Sequence, residues 1–358
     1  VPFAIPPEKT ESRELILVIE YRLKQATPYA DAGHEVGFAQ FILRKASQSK
    51  HTPRLLPFTG ANLDQQKLSP SSLENCRYIV WTGDDYEIIL DKAKGIIVSW
   101  RQGDREILQK GPVPLFWRAT TANDGKQSFS SISKEWANAG LKDLISRIDE
   151  ASIRNGRNGP ELVTPIFLAG PNMRSGIKTE LRYSVDAEGS LYINYKGNFD
   201  SNWETNTIPR IGLQLKLPLS NSLTKWYGRG ANESYSDTCE AGKFGIWQSP
   251  TEDLMTRYVV PQENGAHFET RWVEFTSDTG HKLKIDSDRP FSFGITRYET
   301  MDIENARHPN ELTKCDYYVL SLDIAQNGIG INSCGPRCLE KYELKPKEFN
   351  FTWKLTTR

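Results

Sequence analysis

Short runs of alternating apolar and polar residues, separated by turn-forming residues, extend along most of the chain. Two of them, RELILVIEYRL at 13–23 and GFAQFILRK at 37–45, flank the loop ATPYADAGH. Two later stretches, 86–100 and 183–199, alternate on both sides of a polar cluster that ends in glycine, the residue that supplies the positive φ of a tight turn. A period of two is typical of strands, so the pattern predicts an all-β protein built from hairpins.

The same reading predicts how the chain is divided. Further strands are predicted at 211–218 and at intervals between 271 and 357, whereas helical periodicity is confined to 131–141 and 301–307. From residue 46 to residue 72 the chain is polar, with scattered Ser, Pro and Gln and no period, which is typical of a linker. We therefore expect part of one β-domain in residues 1–50, a linker at 51–72, and a large β-domain from 73 to 358.

Composition and charge narrow the range of partners. The 45 basic and 45 acidic residues cancel, so the chain has no basic surplus for binding nucleic acid or an anionic membrane. The longest apolar runs, such as LILVI at 15–19, are far shorter than the roughly 20 residues that cross a bilayer, and the first residues lack a secretory signal. We expect a cytoplasmic protein that binds neither nucleic acid nor membrane.

The cysteines and histidines do not form a recognisable metal or redox motif. Five cysteines at irregular spacing argue against a disulfide framework, and they mildly favour a reducing compartment. Cys334 and Cys338 are separated by three residues, whereas redox pairs are separated by two at the start of a helix. The five histidines are scattered singly. The sequence therefore predicts no metal and no cofactor bound by this chain.

The remaining sequence motifs suggest that the protein recognises carbohydrate. No G-x-S-x-G elbow and no phosphate-binding P-loop occurs. Instead, several short stretches bring Trp, Tyr, Arg, Asn and Gly together. Such stretches suit sugars, because a pyranose offers an apolar CH face to an aromatic ring and a rim of hydroxyls to amide and guanidinium groups.

Three of these stretches resemble the C-terminal part of the β-galactosidases of glycoside hydrolase family 2. The stretches occur in the family's order, and upstream of them ADAGHEVGFAQF at 30–41 is similar to the Gly-His-Glu stretch of the preceding domain. They are PLFWRATTANDG at 114–125; WYGRGANESYSDTCEAGKFGIW at 226–247 with RYVVPQENGAHFETRW at 257–272; and FSFGITRY followed by ARHPNEL and GIGINSCGP. The resemblance covers nearly the whole chain.

The resemblance implies a fold and a role. The fold is the latter part of an immunoglobulin-like β-sandwich, followed by a large antiparallel supersandwich like that of galactose mutarotases. The role is the C-terminal portion or small subunit of a β-galactosidase that hydrolyses terminal β-D-galactosides such as lactose. In this family both catalytic glutamates and the Mg and Na ligands lie in a barrel upstream. We therefore expect this chain to be inactive alone, to need the barrel portion or large subunit as partner, and to belong to an oligomer.

The resemblance also nominates residues. Cys334 stands where family members place a Trp or Cys at the sugar-entry side of the active site, and Asn123, Asp124 and Gly125 correspond to a loop at the site mouth. Ala122 replaces a usual Asp of that loop. An Asx turn is the plainer interpretation of Asn123 and Asp124. Other motif residues are expected to brace loops rather than to touch substrate: Arg118, Arg229, Glu233, Tyr235 and Asn264.

Two other functions are compatible with the sequence. The sandwich could be a non-catalytic carbohydrate-binding module. It could also be an aldose 1-epimerase, because mutarotases share the architecture and use two histidines and a carboxylate. His267 and His281 would be the candidates for that role, although neither lies in a matching motif.

Overall fold

The computed structural model describes residues 14–45, 71–74, 77–126, 131–156, 159–186, 188–330 and 337–358. The chain divides into two compact units, one within residues 1–54 and one within residues 55–358. Cys334 and most of the predicted linker, residues 51–70, lie outside the described residues. Within the part that is described, no helix has the length and apolar character needed to cross a bilayer.

The described residues form twenty β-strands, two α-helices and five short 3-10 turns. The strands are β1 Leu15–Arg22, β2 Glu35–Arg44, β3 Ser71–Glu74, β4 Tyr78–Thr82, β5 Tyr86–Asp91, β6 Ile96–Gln102, β7 Arg105–Leu108, β8 Lys110–Leu115, β9 Ile145–Ile148, β10 Ser152–Gly156, β11 Gly159–Ala169, β12 Ile177–Val185, β13 Leu191–Phe199, β14 Arg210–Pro218, β15 Leu223–Gly230, β16 Lys243–Pro250, β17 His267–Thr276, β18 Lys282–Thr296, β19 Tyr317–Gln326 and β20 Phe349–Thr357. The helices and turns are α1 Ile132–Asn138, α2 Thr300–Asn305, and 3-10 turns at Leu141–Asp143, Cys239–Ala241, Thr251–Leu254, Pro309–Glu311 and Glu340–Tyr342.

The first unit contributes one antiparallel hairpin, in which β1 pairs with β2 from Leu15 opposite Arg44 to Arg22 opposite Glu35. Its apolar side chains are largely exposed: Val36 is 57% and Phe41 is 51% exposed. A two-stranded hairpin with apolar residues in solvent is marginal alone, and it needs a further layer to cover it.

The second unit is a network of eighteen antiparallel strands joined by hydrogen bonds. One path runs β11, β12, β13, β20, β18, β17, β15 and β16. The long strand β18 also pairs through Ser292–Thr296 with β19, which pairs with β14, and β14 pairs in turn with β8. The result is a large sheet with one face turned inward.

The core lies on that inward face. The alternation of apolar and polar residues along each strand places one side chain in two inside, as in β13, where Leu191, Ile193 and Tyr195 are fully buried. Large aromatic side chains fill much of the space, including Trp81, Trp100, Trp136, Trp226 and Trp353. Burial of each of these apolar side chains contributes about 1.5–3 kcal/mol to the stability of the unit.

Much of the predicted secondary structure is confirmed. The paired strands expected at 13–23 and 37–45 are β1 and β2. The strand pairs expected around glycine turns at 86–100 and 183–199 are β5 with β6 and β12 with β13. The helices predicted at 131–141 and 301–307 are the shorter α1 and α2. The all-β class with one large antiparallel sheet is thus confirmed.

Candidate functional site

Residues 327–330 follow β19 directly, and we call them the stem because they lead into the stretch that contains Cys334. The Arg118 guanidinium holds the first half of the stem. It donates from Nη1 to the carbonyl of Asn327 at 2.6 Å and from Nη2 to the carbonyl of Gly328 at 3.2 Å. Arg118 is 209 residues away from Asn327 in sequence, so the fold brings the first and last of the three motifs together.

Asp237, from the second motif, holds the other half of the stem. Its carboxylate accepts the N–H of Ile329 at 3.1 Å and the N–H of Gly330 at 2.7 Å. A Cβ at Gly328 would lie 2.8 Å from the same carboxylate, so the close approach of the backbone requires glycine there. Both halves of the stem are therefore fixed by charged side chains from distant parts of the chain.

Asp124 fixes Arg118 in turn. Its carboxylate accepts Nε of Arg118 at 3.1 Å and Nη2 at 2.6 Å, and both side chains are almost fully buried. The guanidinium also lies over the Trp136 ring at 5.3 Å. Burial acts to lower the pKa of Arg118, but the Asp124 carboxylate outweighs it, so that pKa is raised above its ordinary value. The fork geometry leaves Arg118 charged and immobile.

Asn123 and Gly125 complete the same loop. The Asn123 amide donates to the carbonyl of Gly330, at the end of the stem. An Asx turn would use the N–H groups of Gly125 and Lys126, but these donate to the backbone oxygens of Ala122 and Thr121. The Asx-turn alternative is therefore wrong, because the Asn123 and Asp124 side chains hold the stem and its arginine instead.

Gly125 has a φ of +88°, and a Cβ there would lie 2.1 Å from the Cβ of Ser131. Both facts require glycine, and Ser131 caps the start of α1 through the N–H of Lys134. The loop that holds the stem therefore packs tightly against the helix that follows it. Ala122, which replaces the carboxylate usual in the family, is exposed, and its N–H donates to Gln262 Oε1 at 3.0 Å.

The second-motif residues mostly brace neighbouring loops. Arg229 donates to Glu269 at 2.8 Å and to the carbonyl of Gly242 at 3.1 Å. Glu233 accepts the hydroxyl of Tyr258 and the N–H of Gly265. These contacts join turns to one another.

Asn264 and Tyr235 lie deeper in the same region. Asn264 accepts the N–H of Thr256 at 3.0 Å and donates to the carbonyl of Gln262 at 2.8 Å. Tyr235 is 3% exposed, and its hydroxyl has no hydrogen-bond partner among the described residues. Burial and the nearby Glu263 raise the pKa of Tyr235 well above its ordinary value, so the phenol is neutral.

A second buried arginine, which the sequence did not single out, lies close to this region. Arg210 on β14 donates to both carboxylate oxygens of Asp323 on β19, at 2.9 and 2.6 Å, and to Glu263 at 3.3 Å. The pKa of Glu263 is raised by burial although Arg210 acts to lower it. The Glu263 N–H also donates to the carbonyl of Ala119, just before the site loop.

Asp237 was missed by sequence reasoning as well. It lies within the motif ESYSD, but a lone Asp beside Ser and Tyr gave no signal of its role. Its partners, Ile329 and Gly330, are more than ninety residues away in sequence. Only the fold shows that they meet.

Cys334 lies outside the described residues, so its place on the rim stays a prediction. The chain is described again from Arg337, whose guanidinium pairs with Glu135 on α1. The 3-10 turn Glu340–Tyr342 follows, and β20 begins only at Phe349.

The two histidines that the epimerase alternative would use, His267 and His281, lie in different surroundings. His267 is 1% exposed, and its ring packs between Trp226 and Phe293 at centroid distances of 4.4 and 4.9 Å. Burial lowers its pKa to about 3. His281 lies on an exposed turn. Across the ranges that the structure describes, no cluster of three or more His, Cys, Asp or Glu could hold a metal ion.

Comparisons with known proteins agree on one family. Residues 82–355 match the family model described as beta galactosidase small chain, and residues 1–44 match the model for domain 4 of beta-galactosidase. A β-galactosidase of Bifidobacterium adolescentis is 30% identical over 92% of this chain and 30% of its own length. A β-galactosidase of Actinobacillus pleuropneumoniae is 27% identical over 99% of this chain and 33% of its own length.

This chain spans about a third of the length of the curated relatives that it matches. A solved structure described as a putative aldose 1-epimerase of Escherichia coli aligns with a TM-score of 0.43 and 12% identity, over 81% of this chain and 99% of that chain. A similarity of that size carries no argument about activity.

Proposed function

Because the chain belongs to the beta galactosidase small chain family, we propose that it forms one portion of a β-galactosidase and completes the rim of that enzyme's active site. The catalytic glutamates, and the Mg and Na sites that the family implies, belong to another portion. The substrate is a terminal β-D-galactoside such as lactose. This chain hydrolyses no galactoside by itself.

The anchored stem is the observation that carries the proposal. Arg118, Asp124 and Asp237 place buried or half-buried charges around four residues that end beside the Cys334 stretch. Burial of a charged pair contributes little to stability, because the lost hydration offsets the attraction. A loop that must present a side chain to a sugar with sub-ångström accuracy does require such support.

The exposed hairpin supports a protein partner. Val18, Tyr21, Val36, Phe41 and Ile42 on β1 and β2 are each between 43% and 59% exposed. The strand register places them on both faces of the hairpin, and exposed apolar side chains of this kind mark surfaces that further protein covers. The match of residues 1–44 to domain 4 of beta-galactosidase supports the same interpretation, in which the hairpin completes a β-sandwich with the rest of the enzyme.

In the complete enzyme, the reaction proceeds with retention. One glutamate of the catalytic portion attacks the anomeric carbon, another protonates the leaving oxygen, and water then releases galactose. The residues of this chain touch neither step. They hold the rim, with Cys334 at the sugar entry and the loop of Asn123 and Gly125 behind it, so that the galactosyl ring is oriented and water is limited.

Complementation tests the proposal. The β-galactosidase of Actinobacillus pleuropneumoniae would be produced without the third that matches this chain, and mixed with this chain or, as a positive control, with its own missing third. We expect this chain to bind the truncated enzyme in size-exclusion chromatography and to restore hydrolysis of nitrophenyl β-galactoside. Failure to bind would refute the subunit role, and binding without restored hydrolysis would refute the rim role.

A further inference from the structure

A pocket of about 560 Å³ is lined in part by Gly125, the last residue of the Asn123–Gly125 loop. Its walls come from the site loop, from α1, and from the chain that leaves α2. Its volume falls in the range of small-molecule sites, which is about 300–1,000 Å³. None of the sequence motifs described above predicted a pocket here.

The charges that face the pocket are mainly positive. Lys126, Lys134, Lys142 and Arg307 line it, against one carboxylate, that of Glu304. Four cations and one anion leave a surplus of positive charge inside a concave site, which concentrates the electrostatic field on an entering anion.

Glu304 neutralises one of the four cations, Lys142, and both of its oxygens are engaged. One oxygen accepts the N–H and the hydroxyl of Thr120 at 2.7 and 2.8 Å, and the other pairs with Lys142 at 3.1 Å. Lys142 in turn lies over the Trp117 ring at 5.8 Å. The Glu304 and Lys142 pair is thus fixed by contacts within the protein.

Lys126 remains without a carboxylate partner among the described residues. Its ammonium donates to the carbonyls of Pro261 and Ile303 at 2.6 and 3.0 Å, which leaves one N–H. Burial lowers the pKa of Lys126, and Glu304 only partly opposes this effect. Arg307 is exposed at the mouth of the pocket, and its guanidinium has no carboxylate partner in the described part of the chain.

Part of the remaining lining is apolar, and it consists of Ala137, Val260, Ala306 and Trp117 beside the uncharged or weakly basic Thr120, Ser133, Asn305 and His308. A wall of this kind suits the CH face of a pyranose, and the pocket is far larger than a bare phosphate. We propose that this pocket binds a sugar-sized molecule that carries a phosphate or carboxylate group, with Lys126 and Arg307 bound to the anionic group and the ring against the apolar wall.

The position of the pocket links the ligand to the rim. Thr120 and Gly125 line the pocket, and Gly125 belongs to the loop that fixes the stem. An occupied pocket would limit the movement of that loop. This regulatory effect rests on the proposed function, whereas ligand binding by the isolated chain does not.

Calorimetry with the isolated chain tests the proposal. The probes are glucose 6-phosphate, glucuronate, inorganic phosphate and neutral galactose, at low ionic strength. We expect saturable binding of one or both anionic sugars, weaker binding of inorganic phosphate, and none of galactose. The result for the two anionic sugars distinguishes phosphate from carboxylate as the preferred group.

Variants place the binding in the pocket. Arg307→Gln removes an exposed charge with no described carboxylate partner, so it should leave folding unchanged and weaken binding about tenfold, the loss of one charge-assisted hydrogen bond. Lys347→Gln, at another exposed site, is the matched control and should bind as the parent does.

Four results would overturn the proposal. They are no saturable binding of any anion, equal binding of galactose, equal affinity for phosphate and the sugar phosphate, and equal weakening by Lys347→Gln. The proposal would also be overturned if Arg307→Gln impaired assembly with the truncated enzyme and left anion binding intact. That result would assign the pocket to the protein partner.

Discussion

The described part of the chain contains two buried arginine–carboxylate forks that differ in what surrounds them. Arg210 and Asp323 lie on the paired strands β14 and β19, and Arg118 and Asp124 lie in a loop before α1. The distances are nearly the same, since the shorter bond of each fork is 2.6 Å. All four residues are at most 2% exposed.

The two arginines differ in the partners of the N–H groups that do not bind the carboxylate of the fork. Arg210 directs its other N–H groups to Glu263 and Ser321, so the whole group lies within the folded sheet and its neighbours. Arg118 directs its others to the carbonyls of the stem. One fork therefore joins parts of the core, and the other fixes a loop. We expect disruption of the first to cost mainly stability and disruption of the second to cost mainly function.

Asp323→Ala should have the largest effect on stability. It leaves a buried guanidinium with Glu263 as its remaining described carboxylate partner, and removal of one partner of a buried pair costs about 3–5 kcal/mol. Urea unfolding followed by tryptophan fluorescence would measure the loss. Arg337→Ala, which breaks the exposed pair with Glu135, is the control and should cost less than about 1 kcal/mol. Equal losses from the two variants would contradict the assignment of the first fork to the core.

Arg118→Lys should cost less stability but should loosen the stem. Lysine keeps the charge but cannot form a fork with Asp124 and also reach two carbonyls. We expect a loss of about 1–3 kcal/mol, with faster hydrogen exchange at Ile329 and Gly330. Exchange in β14 and β19 should change only as far as global stability does. Exchange that rises uniformly across the chain would show that this fork, too, serves the fold.

His267 gives the core a pH dependence. Its pKa of about 3 in the folded chain lies below its ordinary 6.5. Between these values the unfolded chain takes up a proton that the folded chain does not, so the stability supplied by neutral His267 is lost as pH falls below 6.5.

At pH 5 we expect a loss of about 2 kcal/mol relative to about pH 7.5 from this group alone. His267→Leu removes the titrating ring, and the difference between variant and parent in urea unfolding isolates its contribution. A pH dependence that is the same in both proteins would show that His267 does not contribute.

The sequence predicted the local structure well, because that structure is encoded locally. The glycine turn between β5 and β6 and the alternation along β13 are visible within a dozen residues. The core face follows from the same period. The family resemblance, through the motif PLFWRATTANDG, also pointed to the loop at residues 123–125, which the fold places against the stem.

The site itself could not be predicted in this way, because its bonds are long-range. Arg118 meets Asn327 across 209 residues, and Arg210 meets Asp323 across 113. Asp124 was expected at the site mouth, but its carboxylate is buried against Arg118, so any contact with sugar stays a prediction. Asp237 had no local signal at all. Which charged groups pair across a sheet depends on topology, which a single sequence does not specify.

Asp237→Asn tests the central claim most directly, since the change keeps the shape and replaces one acceptor of the stem N–H groups by an NH₂. We expect a stability loss of about 1 kcal/mol, the net value of one hydrogen bond. In the complemented β-galactosidase we expect KM for nitrophenyl β-galactoside to rise about tenfold with kcat nearly unchanged, because a rim holds substrate and transition state alike. An unchanged KM in a fully assembled enzyme would contradict the claim that the anchored stem positions the active-site rim.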